Sequence, residues 1–240
     1  MKTLAVTARV LSQLRRDPRT LALLIVVPCL LETLLQQLFR GGPVFQRAGA
    51  PLLGLFPFVT MFLVTSITML RERTSGTLER LMTMPMAKLD LLVGYGIAFG
   101  LVAAVQATIV SLLAFGPLGL DVAGPPALVV VLAVANAVLG CTLGLFVSAF
   151  AESEFQAVQF MPAVVFPQIL LCGLFVARDE MPDWLRVVSA LLPLTYAYDA
   201  LARTAANEFG ARFALDVVVV AGCIVAALAL GAATLQRRTA

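Results

Sequence analysis

Six apolar runs, each about as long as a membrane crossing, leave this chain few folds to choose from. They lie at roughly 20–39, 52–70, 90–116, 126–150, 157–177 and 213–235, each bounded by charge, glycine or proline. A helix needs about 20 apolar residues to cross about 30 Å of hydrocarbon. Inside lipid every backbone N–H and C=O must be satisfied by protein, so spans are helices or closed barrels. Barrel strands alternate polar and apolar residues; "LALLIVVPCLLETLL" and "ALVVVLAVANAVLGCTLGLFV" do not. Charged residues are 13% of the 240, where a soluble domain carries about a quarter. The expected fold is an all-α membrane protein, a single transmembrane domain of six helices over 1–240.

Orientation follows from where Lys and Arg lie. With the N-terminus in the cytoplasm, the inner segments hold eleven basic residues and the outer ones six. Both termini and residues 71–89 are then expected on the cytoplasmic side. Leu4, Ala8, Leu11 and Leu14 recur at helical spacing beside Arg9, Arg15 and Arg16, which predicts an N-terminal helix lying in the membrane interface. Residues 40–51, with Gly41, Gly42, Gly49 and two prolines, predict an irregular outer loop. The stretch 178–206 is too long for a turn. Pro182 opens "DWLRVVSALLP", whose Trp184 favours the interface, so a short re-entrant helix ending at Pro193 is expected, then a second over 196–206.

Several chemistries are excluded. The chain has no histidine, which removes the usual general base and the commonest metal ligand. Cys29, Cys141, Cys172 and Cys223 lie singly in apolar runs without CxxC spacing, so neither a metal site nor a catalytic set is expected. A Walker A loop needs GxxxxGK[ST]. Lys2 has no room before it and Lys88 is followed by leucine, so the chain is not expected to be an enzyme that hydrolyses ATP. The acid pairs Glu152/Glu154 and Asp179/Glu180 read as solvated loop charges. Glu32 differs, because it lies well inside a span, where an acid is costly and is by default a functional candidate. Pro28, Glu32 and Gln36 share one helix face. That face suits a translocation path, a subunit interface or a structural hydrogen bond to a neighbouring helix. Gly140/Gly144 and Gly96/Gly100 each spell GxxxG, a signature of close helix contact.

The charged stretch "RERTSGTLERLMTMP" separates the second and third runs. Leu78, Leu81, Met82 and Pro85 fall on one helix face. A short rigid helix here, over about 71–87, could pass a partner's motion into the bundle while Glu79 and Arg80 point elsewhere.

Two stretches resemble the ABC-2 type transporter permeases. The first is Arg71-Glu72 followed by Gly76-Thr77-Leu78-Glu79-Arg80-Leu81 and Met84-Pro85. The second begins with Pro162, Pro167 and Gly173. It continues through Pro182-Asp183-Trp184-Leu185 and Pro193-Leu194-Thr195-Tyr196 to Asp199-Ala200-Leu201. The family's arginine usually follows "DAL" directly; here Ala202 intervenes before Arg203. The resemblance implies the membrane subunit of a bacterial exporter in the cell membrane, working with a second permease chain, identical or a sister. It also implies a separate ATP-binding cassette ATPase that uses ATP and Mg, with no cofactor bound by this chain. Arg71, Glu72, Arg73, Gly76, Thr77, Leu78, Glu79, Arg80, Leu81 and Pro85 would then form the coupling element. Pro182, Trp184, Pro193, Tyr196, Asp199 and Arg203 would form the outer re-entrant motif. Amphiphilic or lipophilic cargo, drugs or antibiotics foremost, fits the apolar spans, and a lipid-linked saccharide fits them too. The competing class is a secondary transporter using Glu32 for ion coupling, which would need broken helices at mid-depth.

Overall fold

Asp17 and Pro18 show how local chemistry starts a span. Pro18 occupies the first turn, where its missing N–H costs nothing. Asp17 caps the helix by accepting from the Thr20 amide at 3.2 Å and the Thr20 hydroxyl at 2.6 Å. These bonds hold the Asp17 carboxyl below its usual range. In the computed structural model, which describes residues 2–77 and 88–234, the chain is all helical, with no strand among the described residues.

The helices are α1 (Lys2–Arg15), α2 (Pro18–Leu38), α3 (Pro43–Thr74), α4 (Lys88–Phe115) and α5 (Pro126–Val147). They continue with α6 (Glu154–Leu171), α7 (Asp183–Ala190), α8 (Pro193–Ala205) and α9 (Ala211–Thr234). Short 3₁₀ turns follow α5 at Ser148–Phe150 and precede α7 at Arg178–Glu180. Among the described residues, five helices are long and apolar enough to cross a membrane: α2, α3, α4, α5 with its 3₁₀ extension, and α9. The expected fifth run is helical over Glu154–Leu171 only. Gln156, Gln159, Gln168 and two prolines dilute its apolar character.

The bundle is built on α3 and α5. In their most apolar windows 61% and 56% of residues are buried, against 17% for α2 and α9. The outer faces of α2 and α9 keep large apolar side chains exposed, among them Leu23, Val26, Leu30 and Val218, Val225, Leu230. Water would not tolerate such continuous faces, whereas lipid would.

One expectation is corrected. Residues 40–51 are not an irregular loop. Arg40 and Gly41 turn with positive φ, and α3 then begins at Pro43, so its 32 residues reach about 48 Å at 1.5 Å per residue. Proline at the first helical position favours that early start. α1 carries a further face, Val6, Thr7, Val10 and Leu14, that is buried in the protein, because α1 packs against α4. The Thr7 hydroxyl donates to the Gly94 carbonyl at 3.1 Å, and Leu4 stays on the exposed side.

Candidate functional site

The last turn of α3 carries Arg71, Glu72 and Arg73 in succession, and successive helical residues diverge by about 100°. Each therefore reaches a different neighbour. Glu72 is buried and accepts from Arg9 Nη2 of α1 through both carboxylate oxygens, at 3.0 and 2.9 Å. Gln13 Nε2, one turn along α1, adds a bond of 3.1 Å. Arg71 grips Glu154 at the start of α6 through two bonds of 2.7 and 3.0 Å. This pairing holds the Glu154 carboxyl below its usual range. Both side chains are more than half exposed, 60% and 54%, so the pair contributes at most about 1 kcal/mol. Arg73 Nη1 donates to the Ser148 carbonyl at 3.2 Å, where the C-terminal dipole of α5 favours a cation.

Three charged residues thus join the α1 end of α3 to α1, α5 and α6. The Ser75 hydroxyl meets that of Thr77 at 2.9 Å. Gly76, at φ +70°, supplies the left-handed turn that stops the helix. The remaining expected coupling residues, Leu78, Glu79, Arg80, Leu81 and Pro85, lie outside the described residues.

Midway along the bundle Pro28 leaves the Leu24 carbonyl without its helical donor. Gln106 Nε2 of α4 takes that place at 2.6 Å and also reaches the Thr60 hydroxyl of α3 at 2.7 Å. Gln106 thereby ties α2, α4 and α3 together. Replacing it with leucine would strand a buried carbonyl, at a cost of about 1–3 kcal/mol. In the Pro28→Ala background the backbone N–H at position 28 satisfies the carbonyl, so the same change should cost less. A double-mutant cycle on thermal unfolding in detergent reads the difference; equal costs in both backgrounds would refute this account.

One turn beyond Pro28, Glu32 is fully buried within the single chain, and neither carboxylate oxygen meets a described donor. The Gln36 carbonyl oxygen is likewise unpartnered.

At the far end of the bundle the segment between α6 and α9 folds back on itself. The Ser189 hydroxyl donates to the Leu171 carbonyl at 2.8 Å, and the Thr195 hydroxyl to the Ser189 carbonyl at 2.8 Å. Pro182 immediately precedes α7, Trp184 is exposed beside it, and Pro193 begins α8. The Tyr196 hydroxyl donates to the Ala190 carbonyl at 2.8 Å. Asp199 accepts from Arg178 at 3.0 Å, and Arg203 Nε donates to Asp216 of α9 at 3.1 Å. Burial pushes the Asp199 carboxyl up, and Arg178 offsets part of that rise. Arg178, Tyr196, Asp199, Arg203 and Asp216 line a cavity of about 1010 Å³.

The expected re-entrant residues Tyr196, Asp199 and Arg203 are therefore brought together in the cavity lining, whereas Trp184 is exposed on α7 and is not part of that lining. Gln13, Gln106, Arg178 and Asp216 were given no site role from the sequence, and Arg9 was read only as a basic residue of the interfacial helix. Only two carried a local signal: Gln106 as an amide in an apolar helix, and Asp216 as an acid just inside one.

A family model for the ABC-2 type transporter matches residues 1–205. The chain is 28% identical over 147 residues to ABC transporter G family member 20 of Dictyostelium discoideum, covering 61% of this chain and 20% of that one. It is 28% identical over 148 residues to the probable multidrug ABC transporter permease YbhR of Escherichia coli, covering 62% and 40%. With the linearmycin resistance permease protein LnrN of Bacillus subtilis it shares 26% identity over 176 residues, covering 73% and 44%. The chain thus spans less than half the length of each of these relatives.

Proposed function

The chain belongs to the ABC-2 type transporter family, and we propose that it is the permease subunit of an ATP-driven exporter of amphiphilic or lipophilic molecules. Drugs and antibiotics are the preferred cargo, since one relative is named for multidrug transport and another for linearmycin resistance. In this reading the α1 end of the bundle is cytoplasmic, α6 is the sixth spanning element, and a second permease chain completes the pathway in a bacterial cell membrane. A separate ATP-binding cassette ATPase, carrying ATP and Mg, docks on residues 71–87.

The observation that carries the reading is the clamp at the end of α3. The segment expected to meet the ATPase leaves the bundle directly after Arg71, Glu72 and Arg73, which are bonded to α6, α1 and the end of α5. A push on that segment is delivered to three elements at once rather than lost in a loose turn. Tagged protein, co-expressed with a candidate ATPase subunit and purified in mild detergent, should retain that subunit. Inverted vesicles holding the pair should accumulate an amphiphilic dye only with ATP. Purification without any ATPase, together with ATP-independent dye uptake, would overturn the proposal.

A further inference from the structure

We propose that the far-end cavity binds the anionic phosphate headgroup of a membrane phospholipid, with the acyl chains lying along its apolar rim. Its 1010 Å³ is formed by the first turns of α3, the loop after α6, α8 and the start of α9. Three of its arginines are already committed: Arg178 to Asp199, Arg186 to Asp183, and Arg203 to Asp216 with Glu208 at 4.0 Å. Arg47 on α3 and Arg212 on α9 also line the cavity, and neither makes an ion pair with a described residue. Against these two stands Asp179 alone among lining acids without an arginine partner. Arg178 Nε adds a buried donor that meets no described acceptor. The uncommitted lining is therefore cationic, and guanidinium forks suit phosphate oxygens in particular.

The rim selects a lipid over a soluble phosphate ester. Leu215 lines the cavity and stays exposed, and Phe175, Trp184 and Phe209, each within two residues of a lining residue, stay exposed as well. Tryptophan favours the depth where headgroups meet acyl chains. A polar floor beneath an apolar edge matches the two halves of a phospholipid. The inference rests on the proposed orientation only for which leaflet supplies the lipid.

Trp184 is the only tryptophan in the chain and lies on α7, whose Arg186 lines the cavity, so its fluorescence offers a probe in the full chain purified alone in detergent. Titration with dihexanoylphosphatidylglycerol should give a saturable change. Glycerol phosphate and dihexanoylphosphatidylcholine should bind at least tenfold more weakly. The double variant Arg47→Gln/Arg212→Gln should weaken phosphatidylglycerol binding at least tenfold. Both arginines are exposed, so its helical circular dichroism and unfolding temperature should match the unmodified chain. Unchanged affinity in that variant would refute the site, and equal binding of the zwitterionic lipid would refute anion selection. Glycerol phosphate binding as tightly as the lipid would show a soluble-phosphate site instead. None of these readouts uses transport or ATPase activity, so failure here leaves the permease assignment standing.

Discussion

Gly140→Ala and Gly144→Ala should each destabilise the protein by about 3 kcal/mol, the upper part of the usual range for overpacking. α5 crosses α3 here at backbone contact. A Cβ at position 140 would lie 2.3 Å from the Phe58 carbonyl oxygen. At position 144 it would lie 2.2 Å from the Thr65 hydroxyl and 2.5 Å from the Phe62 carbonyl oxygen. The obstacles are mostly main chain, which cannot swing aside as a side-chain tip can. The same crossing holds a bond of 3.2 Å from the Thr65 hydroxyl to the Cys141 carbonyl, so separating the helices also loses a buried hydrogen bond. Gly96→Ala and Gly100→Ala provide the contrast. Their added Cβ atoms would meet only side-chain methyls at 3.4 and 3.7 Å. Removing glycine from a helix interior without a clash gains about 0.5–1 kcal/mol. Thermal unfolding in detergent should therefore separate the pairs, with the α5 variants melting well below the unmodified protein and the α4 variants at or above it. Similar losses in all four would refute the assigned crossing.

That contrast shows where sequence reading stops. Gly140/Gly144 and Gly96/Gly100 are the same motif by spacing, but spacing cannot say which side of a helix its neighbour occupies. Five of the six expected spans were legible, because hydrocarbon calls for apolar helices of a set length. Pro193 was expected to end a helix and begins α8 instead, whereas the start of α5 at Pro126 was readable locally. The start of α3 was not, since the glycines at 41 and 42 suggest a loop while Pro43 permits a helix. The protein-buried face of α1 was not readable for a related reason. Its apolar residues lie on two sides, and only the presence of α4 decides which side is buried.

The candidate sites were legible as residue types and not as partners. Asp199 and Arg203 lie one turn apart on α8 and could have paired with each other. In the fold Asp199 takes Arg178 and Arg203 takes Asp216, partners 21 and 13 residues away. Glu72 was expected in the coupling element beside Arg71 and Arg73. Its actual partner is Arg9, 63 residues earlier. Long-range ion pairs leave no periodicity in a single sequence, so composition could mark these residues as notable without saying what they do.

Glu72→Ala should abolish most export while leaving the ATPase partner active. The carboxylate is buried at the junction of α1 and α3 and accepts three bonds, two from Arg9 and one from Gln13. Its removal leaves Arg9 without its counter-charge. Breaking a fully buried pair this way costs about 3–5 kcal/mol; with Arg9 29% exposed, solvent screening brings the expected loss to about 2 kcal/mol. Enough protein should therefore still fold and insert. What is lost is the rigid link by which movement of the segment after α3 reaches α1. In vesicles containing the ATPase subunit, the variant should hydrolyse ATP at a rate comparable to the unmodified complex. Its ATP-driven dye accumulation should fall at least tenfold per inserted molecule. The charge swap Arg9→Glu/Glu72→Arg restores opposite charges across the same junction and should recover a substantial part of the accumulation. A structural role alone would lower hydrolysis and accumulation together, in proportion to the protein inserted. That parallel fall, or normal export by Glu72→Ala, would remove the clamp from the coupling path.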